Sequence, residues 1–370
     1  MDVAVLMNVL VVNAGSSSLK LSVLGEGDEV LAQRHVERWE GGDVELPDDV
    51  PEIHAVGHRV VHGGPDLTEP VRLDDEIRAE IGRLTDLAPL HQPRALAGID
   101  AMMGLLPDVP QVACFDTAFH ATLPPVASTY PLPAEWRRRW RLRRYGFHGL
   151  SHAYAARRAV ALAGGGSGGG SRAGGGSRVV TCHLGAGCSL AAVRDGRSVD
   201  TTMGFTPLGG LVMATRSGDL DPGLLVWLLR DRLELDDLDD GLEHGSGLSG
   251  VGGRADLRDL RQAASDGDGD ARLAIEVFVH RLRQGVAAMV ASLGGVDVVV
   301  FTGGIGEHDA DVRADTLRGL GFLDVELDDA RNASVDGDGR VSADQSTVDA
   351  WVVEAREDVE IAHGVRRLLG

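Results

Sequence analysis

The sequence predicts an α/β fold divided into two domains, and three observations carry that prediction. The chain has 370 residues, past the size at which a single hydrophobic core usually divides. Three apolar, β-branched segments each run into a glycine loop: Val9–Val12 into NAGSSS, Val179–Cys182 into HLGAGC, and Val296–Phe301 into TGGIGEH. Between them lie stretches of helical period.

Taken in order, Val9–Val12 reads as a buried strand, followed by a polar loop and by the alternating Leu19, Leu21 and Val23 of a second strand. The outline returns over residues 179–193 as apolar VVTC, glycine loop, then LAAV, a weak internal duplication of one supersecondary unit. Asp221-Pro222 supplies an N-cap and first-turn proline for a helix over 223–233. Ile275, Val279, Leu282, Val286 and Val290 form the apolar stripe of a helix over 271–293. Residues 164–177, GGGSGGGSRAGGGS, read as a flexible low-complexity surface loop. The arginine-rich 137–144 reads as a solvated helix face followed by a strand.

Composition bounds the function. With 43% hydrophobic and 25% charged residues the chain is of ordinary globular make-up. Thirty-six basic against 56 acidic residues give a net charge of −20, which repels nucleic acid and anionic membrane and demands a local basic site for any polyanionic ligand. Three scattered cysteines, Cys114, Cys182 and Cys188, argue against a disulfide framework and for a reducing cytosol. The apolar start at 3–12 lacks a basic leader and is too short to span a bilayer, so a cytoplasmic location is expected.

Several segments could carry chemistry. VVNAGSSSLK, residues 11–20, combines glycine, three serines and Lys20, which suits a phosphate cradle without Walker spacing; a serine-rich hairpin turn reads the same way. In GHRVVHGG, residues 57–64, Arg59 leaves an expected strand with no acidic neighbour in sequence and is a candidate anion clamp. His58 and His62 would pair on a metal only if helical, and Val60-Val61 argue for a strand. Asp116, ending the apolar VACF, is placed like a catalytic or metal-associated carboxylate. His148, between Phe147 and Gly149, has room to reach a ligand; a structural histidine is the alternative. Arg216, in MATRSGD, is a second arginine among small residues, ahead of the helix that Asp221 opens. Glu357 and Asp358 could meet magnesium or cap a helix.

In sequence order these segments resemble the acetate kinase family, within the acetate and sugar kinase, Hsp70 and actin superfamily. VVNAGSSSLK and GHRVVHGG resemble its two signatures, and FDTAFH, RRYGFHG, GFTPL, TRSGD and GGIGE follow in family order, from Val9 to about Ala362. The resemblance implies two duplicated actin-like (ribonuclease H-like) domains with an interdomain active-site cleft. The first domain would be 1–120 plus about 355–370, the second 121–354 with the adenosine site. It implies that Asn13, Ser16, Ser18 and Lys20 form a first phosphate loop, and His183, Gly185 and Gly187 a second. Arg59 and Arg216 would hold the carboxylate and the transferring phosphoryl group, Asp116 would be the active-site aspartate and His148 the transition-state histidine. Val61, Leu90, Phe147 and Pro207 would line a methyl pocket, Asp256, Leu257, Arg258 and Gly304 would hold the adenosine, and Gly303, Ile305 and Gly306 would bind nucleotide or phosphate beside them. Asn13 and Glu357 would serve magnesium, or manganese. Four positions depart from the family: Ala186 and His308 stand where asparagine is usual, Gly209 replaces a common glutamate, and Arg356 precedes the magnesium glutamate. They bear on rate and phosphoryl donor more than on reaction type.

The implied activity is reversible, direct in-line phosphoryl transfer from ATP to acetate, giving acetyl phosphate and ADP, in a homodimer. Propionate is the rival acceptor. A non-catalytic nucleotide-binding regulator of the same fold is the rival class; the presence of Arg59, Arg216 and His148 argues against it.

Overall fold

The computed structural model describes residues 7–15, 18–39, 41–42, 44–165 and 176–370. Ser16 and residues 166–175 of the Gly/Ser segment lie outside the described residues. The chain packs as two units, one of Met1–Ala121, Phe147–Tyr154 and Arg356–Gly370, the other of Thr122–Gly146 and Ala155–Ala355.

The first unit is built on a six-stranded sheet of β1 (Val9–Ala14), β2 (Ser18–Leu24), β3 (Val30–Glu37), β4 (Ala55–Val60), β5 (Val71–Arg72) and β6 (Gln111–Phe115), in the order β3-β2-β1-β4-β6-β5. β1, β2 and β3 form an antiparallel meander, β1, β4 and β6 run parallel, and β5 closes the edge antiparallel to β6. Alternation along β1 sends Val9 and Val11 to one face and Leu10 and Val12 to the other, and both faces are covered. On the first face lies the helix Glu357–Leu369, through Val359, Ile361, Ala362 and Val365. Each of these buried aliphatic side chains larger than alanine contributes roughly 1.5–3 kcal/mol. Gly57 in β4 makes the close approach possible, since a Cβ there would press into Ile361 and Val365. This packing sets where the helix begins, and its first residue is Glu357.

The second unit repeats the plan with β7 (Arg178–Leu184), β8 (Cys188–Arg194), β9 (Arg197–Thr201), β10 (Val298–Thr302), β11 (Gly339–Arg340) and β12 (Asp349–Val352), in the order β11-β12-β10-β7-β8-β9. Again a meander, β7 to β9, gives its first strand to a parallel run, β7, β10 and β12, with a short antiparallel edge strand. The duplication read from the sequence is therefore a duplication of whole sheets, and the architecture is the actin-like α/β type. The expected helices are present as Pro222–Asp231 and Gly269–Leu293, the latter capped by the Asp268 carboxylate at one end and by Gly294, at φ 70°, at the other.

The strand expected near Arg144 does not form. After the helix Ala134–Arg139 the chain stays irregular. The Arg144 guanidinium instead donates to the carbonyls of Thr201, Thr202 and Met203, at 3.1, 2.7 and 3.0 Å, and fixes the chain leaving β9.

Candidate active site

In a parallel sheet the carboxyl ends of adjacent strands bring distant residues together. β1, β4 and β6 do so in the first unit. Asn13 lies near the end of β1, Arg59 near the end of β4, and Asp116 directly after β6, where its N–H donates to the Val60 carbonyl at 3.0 Å.

The three side chains meet. Arg59 Nη2 lies 2.7 Å from Asp116 Oδ2, its Nε donates to both Asp116 oxygens at 3.2 Å, and its Nη1 donates to Asn13 Oδ1 at 3.3 Å. Glu357 closes the group: its Oε2 is 3.4 Å from Arg59 Nη1 and accepts from Asn13 Nδ2 at 3.2 Å. Asp116 is 1% exposed, Arg59 17% and Glu357 13%. Burial and the neighbouring Glu357 push the Asp116 carboxyl above the usual carboxylate range, against the pull of Arg59. The guanidinium, although buried, is held firmly charged by Asp116 and Glu357. Arg59 has no acidic neighbour in sequence, and the two carboxylates that flank it, Asp116 and Glu357, come from far along the chain.

His148 belongs to the same unit and adopts φ 56°, in the left-handed region. It stands between Phe147, whose carbonyl contacts His120 Nε2 at 3.0 Å and whose ring packs edge-on against His62, and Gly149, whose N–H donates to the Asp116 carbonyl at 2.9 Å. A Cβ at Gly149 would collide with that carbonyl oxygen, so the loop bearing His148 can sit on Asp116 only with glycine there. Val61 and Phe147 are buried, whereas Leu90 is 41% exposed. Ser18 is half-buried, Lys20 is exposed, and Gly15 N–H donates to the Ser18 carbonyl at 2.8 Å.

In the second unit β7 ends in His183 and Leu184, and the hairpin closes with Gly185 N–H on the Gly187 carbonyl at 3.0 Å. The Ala186 carbonyl accepts from Ala214 N–H at 3.3 Å, which ties this loop to the segment carrying Arg216. Arg216 is 18% exposed; its Nε lies 3.1 Å from Glu243 Oε2 and its Nη1 reaches the carbonyl of the buried Pro207 at 3.5 Å. The sequence reading missed Glu243, since the acidic helix Leu235–Glu243 offers no signal that singles it out.

The adenosine candidates lie at the starts of two helices, Leu257–Ser265 and Gly303–His308. Asp256 caps the helix Leu257–Ser265 through Arg258 N–H at 2.8 Å and pairs with the exposed Arg258 guanidinium; these bonds hold its carboxyl down at about 2. One turn on, Arg261 donates to Asp309 at 2.9 Å, which joins this helix to the end of the glycine helix Gly303–His308. The Leu257 side chain is buried in the core. Thr302 pairs in register with His183, so the two glycine loops follow neighbouring parallel strands.

The oxygen donors of Glu357, Asp116 and Asn13 suit a hard cation such as magnesium, which takes one or two carboxylates and completes its shell with phosphate and water. Among the described residues no cluster of three or more His, Cys, Asp or Glu forms an all-protein metal cage.

The family model of the acetokinase family matches residues 42–363. The chain is 43% identical over 358 residues to an acetate kinase of Nostoc punctiforme, covering 96% of this chain and 86% of that one. It is 48% identical over 332 residues to an acetate kinase of Gloeobacter violaceus, covering 89% and 80%. Among solved structures it is similar to Porphyromonas gingivalis acetate kinase, with TM-score 0.86, 35% identity and coverage of 98% and 100%. A propionate kinase from Francisella tularensis also gives TM-score 0.86, with 32% identity and coverage of 97% and 98%. On this footing the chain belongs to the acetokinase family.

Proposed function

We propose that the protein is an acetate kinase, transferring the γ-phosphoryl group of ATP to acetate in a reversible, magnesium-dependent step. The observation that carries this reading is Arg59, a guanidinium fixed by Asp116, Asn13 and Glu357 at the carboxyl ends of the parallel strands β1, β4 and β6. Phosphoryl transfer needs orientation and charge neutralisation more than covalent help. Arg59 and Arg216 bind the acceptor carboxylate and the transferring group, and His148 donates to the equatorial oxygens. Asp116 orients Arg59. Val61, Phe147, Leu90 and Pro207 receive the methyl group. Asn13, Ser16, Ser18, Lys20, His183, Gly185 and Gly187 cradle phosphates, while Asp256, Leu257, Arg258 and Gly303–Gly306 bind the nucleotide, with Gly304 at the nucleoside. Asn13 and Glu357 hold magnesium, which when bound neutralises charge on the phosphates.

The acceptor test is ADP release with acetate, propionate and butyrate as alternative substrates. Acetate should give the highest kcat/KM. Propionate follows closely, because one methylene discriminates by only about 1–3 kcal/mol, and the likeness to a propionate kinase makes it the second reading. ATP hydrolysis indifferent to any carboxylate would overturn the kinase assignment.

We place the enzyme in the cytoplasm, on three buried, unpaired cysteines that suit a reducing compartment. No helix among the described residues is long and apolar enough to cross a membrane. We propose a homodimer that covers the helix Pro222–Asp231, which buries no residue and exposes Leu224, Val226, Trp227 and Leu229 by 41, 55, 49 and 42%. Net charge of −20 disfavours nucleic acid as a partner.

A further inference from the structure

The largest side chain among the fully buried ones is an arginine that the phosphoryl-transfer reading does not use. Arg313, 2% exposed on the helix Ala310–Arg318, directs no hydrogen bond at a carboxylate. Its Nη1 donates to the carbonyls of Gly306 and Glu307 at 2.9 and 2.8 Å, its Nε to Asn332 Oδ1 at 2.7 Å, and its Nη2 to the Asn332 carbonyl at 2.8 Å. Burying a guanidinium is costly unless every donor finds a partner. Here the partners include two carbonyls in the last turn of the helix Gly303–His308, where the backbone dipoles leave partial negative charge.

The other end of the same helix is held by Glu307. Its Oε1 accepts from Gly303 N–H at 2.8 Å and from Ala355 N–H at 3.0 Å, beyond the end of β12. Thr302, the residue in the N-cap position, makes no capping bond, and its buried hydroxyl has no partner. Glu307 therefore substitutes for the missing cap. Gly303, at φ 78°, lies against the main chain of Leu184, where a Cβ would collide. Gly304 is the opposite case: exposed, with nothing within 4 Å of where its Cβ would stand. One short turn is thus clamped at both ends and bare on one face.

We infer that Glu307 and Arg313 are positioning residues for the nucleotide, fixing the backbone of Gly303–Gly306 so that its bare face meets the nucleoside at close range. This rests on the assignment of that glycine turn to the nucleotide in the proposed function. Neither side chain touches the ligand; both act through the turn.

The test measures KM for ATP and acetate, kcat, and calorimetric ADP affinity in four variants. Glu307→Ala removes the Gly303 and Ala355 contacts, and Glu307→Gln keeps an oxygen that can accept both. Arg313→Lys keeps the charge but cannot span Asn332 and the two carbonyls. Gly304→Val puts bulk on the open face, where a Cβ has no heavy atom within 4 Å. Loss of a charge-assisted hydrogen bond predicts that Glu307→Ala and Arg313→Lys each raise KM for ATP and weaken ADP binding by about tenfold. KM for acetate should stay within about twofold, and Glu307→Gln should recover most of the loss. A merely structural role would lower the active fraction and leave both KM values unchanged, and that result overturns the inference. Should Glu307→Ala not fold, Arg313→Lys carries the same split of KM values. If Gly304→Val raises KM for ATP while Glu307→Ala and Arg313→Lys do not, the inference falls and the nucleotide assignment stands. If Gly304→Val leaves KM for ATP unchanged, the assignment falls and the inference with it.

Discussion

Arg59 and Asp116 form a forked ion pair, with Nη2 2.7 Å from Oδ2 and Nε 3.2 Å from both carboxylate oxygens. The pair exists because β4 and β6 are adjacent and parallel, in a register that sets Arg59 beside Cys114 and Val60 beside Phe115. Two residues beyond Cys114, the turn places the Asp116 carboxylate across the guanidinium.

Asp116→Asn should loosen that orientation while keeping the shape. Removing one preorganised electrostatic contact costs about a hundred- to a thousandfold in kcat, and kcat/KM for acetate should fall at least as far. The measurement is steady-state kinetics beside a circular dichroism spectrum; a variant with native spectrum and native rate would remove Asp116 from the site.

His58 offers a stability prediction separate from activity. It is 1% exposed, its Nε2 contacts Gln111 Oε1 at 2.7 Å, and burial holds its pKa down at about 4, against 6.5 in an open chain. Between those values the unfolded chain binds a proton that the folded chain refuses, so stability rises with pH there. The contribution is fully present above pH 6.5 and is lost as pH falls to about 4. The size is about 3 kcal/mol, at roughly 1.4 kcal/mol per unit. Urea titrations of the protein and of His58→Gln at several pH values in this window should show a steeper loss for the protein; parallel curves would refute the assignment.

The three cysteines should be silent in the folded state. All are buried, and burial raises each thiol pKa, to about 12 for Cys114 and Cys188 and upward likewise for Cys182. Thiolate is the reactive form. Ellman's reagent should therefore find no thiol in native protein and three after denaturation, with no loss of activity in the native sample. Rapid labelling with inhibition would contradict this burial.

Much of this was legible in the sequence, for a physical reason. Apolar runs such as Val9–Val12 and Val296–Phe301 lie in or run into fully buried strands, and a glycine loop must follow where backbone approaches a neighbour. Asp221-Pro222 marked its helix start because capping is local chemistry. Pairings across the fold were hidden. Nothing near Arg59 in sequence points to Asp116 or Glu357, because parallel register and helix docking, set by Gly57, bring them in. Glu243 on Arg216 and the three-carbonyl grip of Arg144 are likewise long-range consequences of packing. The Arg144 strand failed for the same cause: tertiary hydrogen bonds to the exit of β9 outweigh local propensity.

In the proposed function the Arg59 and Arg216 guanidinium groups both act on phosphoryl transfer to a carboxylate. Steady-state turnover of Arg59→Ala and Arg216→Ala, at saturating ATP and acetate, tests it most directly. Each should lose about two to three orders of magnitude in kcat while the circular dichroism spectrum at assay temperature stays that of the folded protein. Near-native kcat in either variant would exclude that guanidinium from the transfer step.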